Sequence, residues 1–275
     1  MKFTINLQKS TAENADYYYE QSKKAKSKVQ GAQAALEKTI AEIEKLREEK
    51  EKFVVEAREK QPEKKVKRKW FEKFRWFKSS EGFLIIGGKD ATTNEILIKK
   101  HTETKDVVFH ANVSGAPFFV VKTEGREVSE KTMNEAAQAA AAYSKAWALE
   151  LGNCDVYYVK PEQVSKDAPS GEYLTKGAFM IYGEKSWFKK VEMKIAVGFK
   201  VDGGEIIGGP VNSVSANSNY HVAVGVGDKK SGDLAREIKH KFLQQAKKED
   251  AEAIRKIDLG DVQQWIPAGK GRVVA

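Results

Sequence analysis

Lys64, Lys65, Lys67, Arg68, Lys69, Lys73 and Arg75 stand in one run with Trp70, Phe71, Phe74, Trp76 and Phe77. Over residues 64–78, eight of the fifteen side chains are basic, five are aromatic and one is acidic. Cations neutralise phosphates and rings stack on bases, so this mixture suits a nucleic acid. A core filled by the aromatics, with the cations left in water, explains the same residues. Composition alone keeps both readings open.

Two further places could hold a ligand. Gly87-Gly88 closes an apolar run, Phe83-Leu84-Ile85-Ile86, and a helix opens after Lys89-Asp90. A strand, two glycines and a helix start can hold a phosphate on backbone N–H groups, with Lys89 adding charge. The glycine spacing and the Lys-Ser/Thr pair of a P-loop are missing, and a plain tight turn is the alternative. His110 ends a short apolar run before the turn Asn112–Pro117. It can face a ligand there, although a lone histidine more often has a structural role.

Catalytic signatures are absent. The chain has no Gly-x-Ser-x-Gly elbow, no His-Glu-x-x-His pair and no complete Walker motif. Asp106 and His110, four apart, could share a metal only with ligands from elsewhere, so a metal-dependent nuclease is the weakest reading. The four histidines lie far apart with no cysteine pairs beside them, which argues against structural zinc. No cofactor is expected, and the chain reads as a binding protein rather than an enzyme.

The elements that must position these residues follow from periodicity. Residues 1–7 alternate weakly, as a short strand would, and Ser10 or Thr11 then caps a helix reaching about Lys60. A heptad fits it, with Val29, Leu36 and Ile43 at one seam position and Tyr18 and Leu46 at the other. The seam is thin, so the helix needs a partner: a second copy, a fold-back near Gly31, or another protein. Lys23, Lys24, Lys26 and Lys28 could touch phosphate, although a charge run on a helix is more often a solvated face. Pro62 stops the helix. Helical spacing over 70–77 would put Trp70, Phe74 and Phe77 on one face. Strands are expected at 106–110, 118–122, 155–159, 178–182, 191–199, 205–207 and 220–226. Ser129 caps an alanine-rich helix running through Trp147 to Leu151, and a basic helix starts near Ser231. The fold class is α+β: a mostly antiparallel sheet with a long packed helix, preceded by a coiled-coil-like arm. The expected divisions are 1–62, 63–200 and 201–275.

Composition narrows the class. The chain has 275 residues and a formal net charge of +9, which favours an anionic partner. No apolar run is long enough to cross a bilayer, and the N-terminus lacks a signal-peptide core. Cys154 is the single cysteine, which fits a reducing, cytoplasmic setting.

Several separated motifs then resemble one family. Trp70–Phe77, Ser79-Ser80 and Gly87–Glu95 are similar to the signature of the NFACT-R domain. Asp106, His110-Ala111, Gly115-Ala116-Pro117, Ala137–Trp147, Pro161–Lys166 and Lys176-Gly177 continue it in order. Ser10, Glu13-Asn14-Ala15 and Tyr18 resemble the opening of the family's coiled coil. The resemblance is of archaeal type and weakens after about residue 200. It implies an RqcH/NEMF-like ribosome quality control factor, which binds large subunits still holding peptidyl-tRNA. Such factors help recruit charged tRNA while the stalled chain gains a C-terminal tail. The implied partners are large-subunit ribosomal RNA and tRNA. The family's NFACT-N domain, with its Asp-Arg motif, and its helix-hairpin-helix segment have no counterpart in these residues. RNA or ribosome binding carries over, and tailing does not. Motif and turn geometry together select Lys89, Asn94 and His110 as RNA-facing, beside the cations of 64–75. A coiled-coil scaffold without RNA specificity is the rival.

Overall fold

The structure, a computed structural model, describes residues 4–59, 69–167 and 174–274. The chain forms two compact units, Met1–Arg68 and Lys69–Ala275.

Among the described residues the first unit holds one helix, α1 (Thr11–Glu59). Ser10 Oγ accepts the Glu13 N–H while the Glu13 carboxylate accepts the Ser10 N–H at 2.8 Å, a reciprocal cap. Residues 4–9 are not the expected strand. They double back along the first turns, where Asn6 and Asn14 exchange two hydrogen bonds and the Tyr18 hydroxyl donates to Thr4 O at 2.6 Å. The helix runs through Gly31 without a fold-back. Val29, Leu36, Ile40, Ile43 and Leu46 are 45–59% exposed, so the thin seam is uncovered within the unit.

The second unit is α+β. Its first sheet is built from β1 (Arg75–Lys78), β2 (Leu84–Gly87), β3 (Val107–Ala111), β4 (Phe118–Lys122), β5 (Asn153–Val159) and β8 (Ser186–Glu192). These six strands are antiparallel throughout, in the order β1-β2-β4-β3-β5-β8. The short hairpin β6 (Val164–Ser165) and β7 (Met180–Ile181) stands apart. A second sheet uses β9 (Lys194–Lys200), β10 (Glu205–Gly209), β11 (Tyr220–Lys230) and β12 (Lys270–Val273). It is also antiparallel, in the order β10-β9-β11-β12. The helices are α2 (Ala91–His101), α3 (Glu130–Ala142), α4 (Lys145–Ala148), α5 (Val211–Asn217), α6 (Ser231–Gln245), α7 (Ala251–Arg255) and α8 (Leu259–Gln263).

Side-chain alternation gives the first sheet two buried faces. Ile85, Phe109, Phe119, Val121 and Val156 join α3, the second sheet and α6 in one core. Ile86, Val108, Phe118, Val120, Tyr157 and Val159 form a second cluster with Phe74 and Leu97 of α2. Alanines 136, 137 and 139–142 are buried all round α3, as befits a helix packed on more than one side.

Three expectations change. Trp70–Lys73 is a single 3₁₀ turn and Arg75–Lys78 a strand, so Phe74 and Phe77 go to the two different clusters rather than one helical face. The alanine-rich helix stops at Tyr143, because the Ser144 hydroxyl bonds back to Ala141 O and accepts the Ala146 N–H that opens α4. The run 191–199 is two strands, β8 and β9, in different sheets on either side of Met193.

Candidate nucleic-acid interface

Arg75, Lys89, Asn94 and His110 line one cleft of about 570 Å³, brought there by β1, the β2–α2 turn, α2 and β3. Lys69 and Lys73 lie outside it. Lys69 borders a smaller pocket with Trp76 and Lys78, and Lys73 Nζ sits 5.0 Å above the Phe74 ring. Lys64, Lys65, Lys67 and Arg68 lie outside the described residues.

The turn at Gly87-Gly88 is not an open phosphate cradle. Asp90 caps α2 by accepting the Thr93 N–H at 2.8 Å, and the Lys89 and Asp90 N–H groups both donate to Thr93 Oγ1. A carboxylate already stands at this helix start, where a phosphate would be placed. What the turn supplies is Lys89 itself, exposed at the cleft mouth. Partial desolvation at the cleft, then the neighbouring Arg75 charge, pulls its ammonium below the usual lysine range. The Arg75 guanidinium carbon lies 4.7 Å over the Tyr143 ring. Burial pushes the Tyr143 phenol up to about 12, so it stays neutral and donates to Trp265 O at 3.0 Å.

Asn94 and His110 organise the cleft from inside. Asn94 Oδ1 accepts the Phe118 N–H at 3.1 Å, which ties α2 to β4. His110 Nε2 lies 3.0 Å from Ala116 O, an acceptor, so the proton sits on Nε2. Burial pushes the imidazole down to about 4, which makes it neutral at pH 7. It is a shaped, uncharged wall rather than a phosphate cation.

Sequence reasoning missed several residues. Exposed Lys145 and Lys176 join the cleft lining, as do Tyr143, Tyr157 and Phe179. Lys145 arrives because Ser144 breaks the helix. Lys176 arrives because Gly177, at φ +79°, packs against Ala91, where a Cβ would meet Ala91 Cα at 2.6 Å. Ala268 closes the rim, and Trp147 Nε1 donates to Lys270 O at 2.7 Å, so the C-terminal segment belongs to the site. The signal available in the sequence was the family resemblance at Ala137–Trp147 and Lys176-Gly177, which covers Tyr143, Lys145 and Lys176. Asp106 is not at the cleft. Its carboxylate holds buried Lys122 at 2.5 Å and accepts the Thr123 N–H. Among the described residues no group of three His, Cys, Asp or Glu side chains could hold a metal.

The surface is thus cationic at its mouth and aromatic at its floor. Residues 73–183, which contain most of that lining, match the family described as NFACT protein RNA binding domain. The chain carries an NFACT-R domain. Its surroundings are similar to quality-control proteins. Over 218 residues the chain is 41% identical to the archaeal Rqc2 homolog aRqcH of Methanocaldococcus jannaschii, covering 78% of this chain and 31% of that protein. Over 192 residues it is 40% identical to the ribosome quality control complex subunit NEMF of Homo sapiens, covering 69% of this chain and 18% of that protein. The Drosophila melanogaster NEMF homolog is 36% identical over 201 residues, 72% of this chain and 20% of that protein. The chain therefore spans less than a third of the length of these relatives. Ala268, which lines the cleft, and Trp265, whose carbonyl holds the Tyr143 hydroxyl, lie beyond the matched segment.

Proposed function

We propose that the chain is an RNA-binding module acting on the large ribosomal subunit in ribosome quality control. The observation that carries this is the convergence of Arg75, Lys89, Lys145 and Lys176 with Tyr143, Tyr157 and Phe179 on one cleft of an NFACT-R domain. Cations of this density meet phosphates, and the rings offer flat contact to bases. The names of the relatives support the ribosomal setting. On this reading the partners are large-subunit ribosomal RNA and tRNA, the setting is cytoplasmic, and the module does no bond chemistry of its own. Support for tRNA recruitment during tailing belongs to the same proposal. Among the described residues no helix is long and apolar enough to cross a membrane. Crosslinking the protein to ribosomes in extract and mapping the contacts tests the reading. Contacts confined to large-subunit RNA and tRNA are expected, and an absence of RNA crosslinks would overturn it.

The exposed Val29–Leu36–Ile43 stripe favours a second reading, a helix-binding scaffold built on the arm. Solution mass measured with and without residues 1–60 separates the two. A concentration-dependent dimer that disappears with the arm, and no RNA affinity at physiological salt, would favour the scaffold.

A further inference from the structure

Phe118, His110, Tyr157 and Trp187 stand directly opposite one another on β4, β3, β5 and β8. Their ring centroids follow at 4.5, 5.5 and 5.4 Å. The first three line the cleft, and Trp187 carries the row out to the edge strand. Four adjacent strands at about 4.8 Å spacing make a row roughly 14 Å long on a rigid sheet.

Exposure and charge change along the row. Tyr157 is 7% exposed and serves as a floor, whereas Trp187 is 40% exposed. Lys185 Nζ lies 4.6 Å over the Tyr157 ring and Lys189 Nζ 4.1 Å over the Trp187 ring. Asp155 holds Lys189 there at 3.0 Å and accepts the Lys190 N–H. A half-exposed tryptophan on an edge strand, with a lysine over its ring, adds little to a core. It has the chemistry of a stacking surface whose cations can turn from ring face to phosphate.

We propose that this row is a stacking track for single-stranded RNA. One unpaired base lies on Trp187, Lys185 and Lys189 move to its flanking phosphates, and the strand continues along the row into the cleft. Unpaired bases are required because a duplex keeps its base faces stacked inside. The track rests on the reading of the body as an RNA binder, and it adds the strand state that the surface selects.

The test uses the full chain at low salt with a fluorescein-labelled oligouridylate, an RNA duplex of equal charge, and poly-glutamate. Tryptophan emission reports the ring and anisotropy reports affinity. Single-stranded RNA should quench the parent, and Trp187→Phe should lose much of that quenching while keeping affinity. Trp187→Ala, with an unchanged melting curve, should bind the single strand about tenfold more weakly and the duplex as before. Parent-like single-strand affinity in Trp187→Ala would overturn the track and leave RNA binding standing. Equal quenching by poly-glutamate would show that the patch reads charge alone, which also overturns it. Failure of the parent to bind either RNA would overturn both readings.

Discussion

Asn94 Oδ1 accepts the backbone N–H of Phe118 at 3.1 Å, and the same oxygen fills the space beside Gly88. A Cβ built on Gly88 would collide with that oxygen and lie 3.1 Å from Asn94 Cα. Helix α2, the glycine turn and strand β4 are thus locked through one amide. Gly88→Ala should destabilise the body by about 3 kcal/mol, because the amide must leave its bond. In an Asn94→Ala background the same change should cost less, since the nearest clash is gone. Denaturant melts of the four proteins in a double-mutant cycle measure that coupling.

His110 links stability to pH. Its folded-state value of about 4 lies below the ordinary 6.5, so below pH 6.5 the unfolded chain takes up a proton that the folded chain refuses. The stabilisation is complete above 6.5 and is lost as pH falls towards 4, at most on the order of 3 kcal/mol. His110→Gln should flatten that part of the stability-versus-pH curve. RNA affinity between about pH 6 and 8 should show no step that this variant removes.

The cleft cations set the salt dependence. Reversing Lys89, Lys145 or Lys176 to Glu should weaken RNA binding. It should also flatten the log-affinity against log-salt slope by roughly 0.7–0.9 for each phosphate that is no longer neutralised. Reversal of Lys67, Arg68 and Lys69 together should do the same if the basic run also meets phosphate. An unchanged slope in either set would remove those lysines from the interface.

Asp106 answers to a different measurement. Removing its carboxylate leaves buried Lys122 with the Glu103 carboxylate and His101 O as its partners among the described residues. Asp106→Ala should cost about 3–5 kcal/mol in a thermal or urea melt. Labelled RNA incubated with magnesium or manganese should remain intact with both parent and variant; cleavage by the parent would revive the nuclease reading.

The body should also survive removal of the arm. Residues 69–275 form a compact unit with their own core. A fragment starting at Lys69 should melt within a few degrees of the full chain by calorimetry. A broad, non-cooperative transition would count against an independent body.

The continuous apolar runs at 118–122 and 155–159 were legible in the sequence because each strand buries two faces. The helix starts after Asp90 and after Ser129 were equally plain. Tyr143-Ser144-Lys145 was not, because the alanine pattern continues past the break and one serine's bonding decides it. Strand β8 was hidden for another reason: its edge position leaves Trp187, Lys189 and Lys190 exposed, so no buried period marks it. Lys89, Asn94 and His110 could be chosen from motif and turn geometry, and Arg75 from the basic-aromatic run. Their roles could not, since only the fold shows that Asn94 Oδ1 is engaged by the Phe118 N–H and His110 Nε2 by Ala116 O.

The bonds from Tyr143 to Trp265 O and from Trp147 to Lys270 O span more than 120 residues of chain. A ribosome therefore makes the cationic mouth long before it makes the wall that steadies it. A product released short of Trp265 would carry the lysines and lack the support behind Tyr143. Premature termination late in the message should accordingly yield a protein that keeps its charge and loses its grip, a defect that a count of basic residues would never reveal.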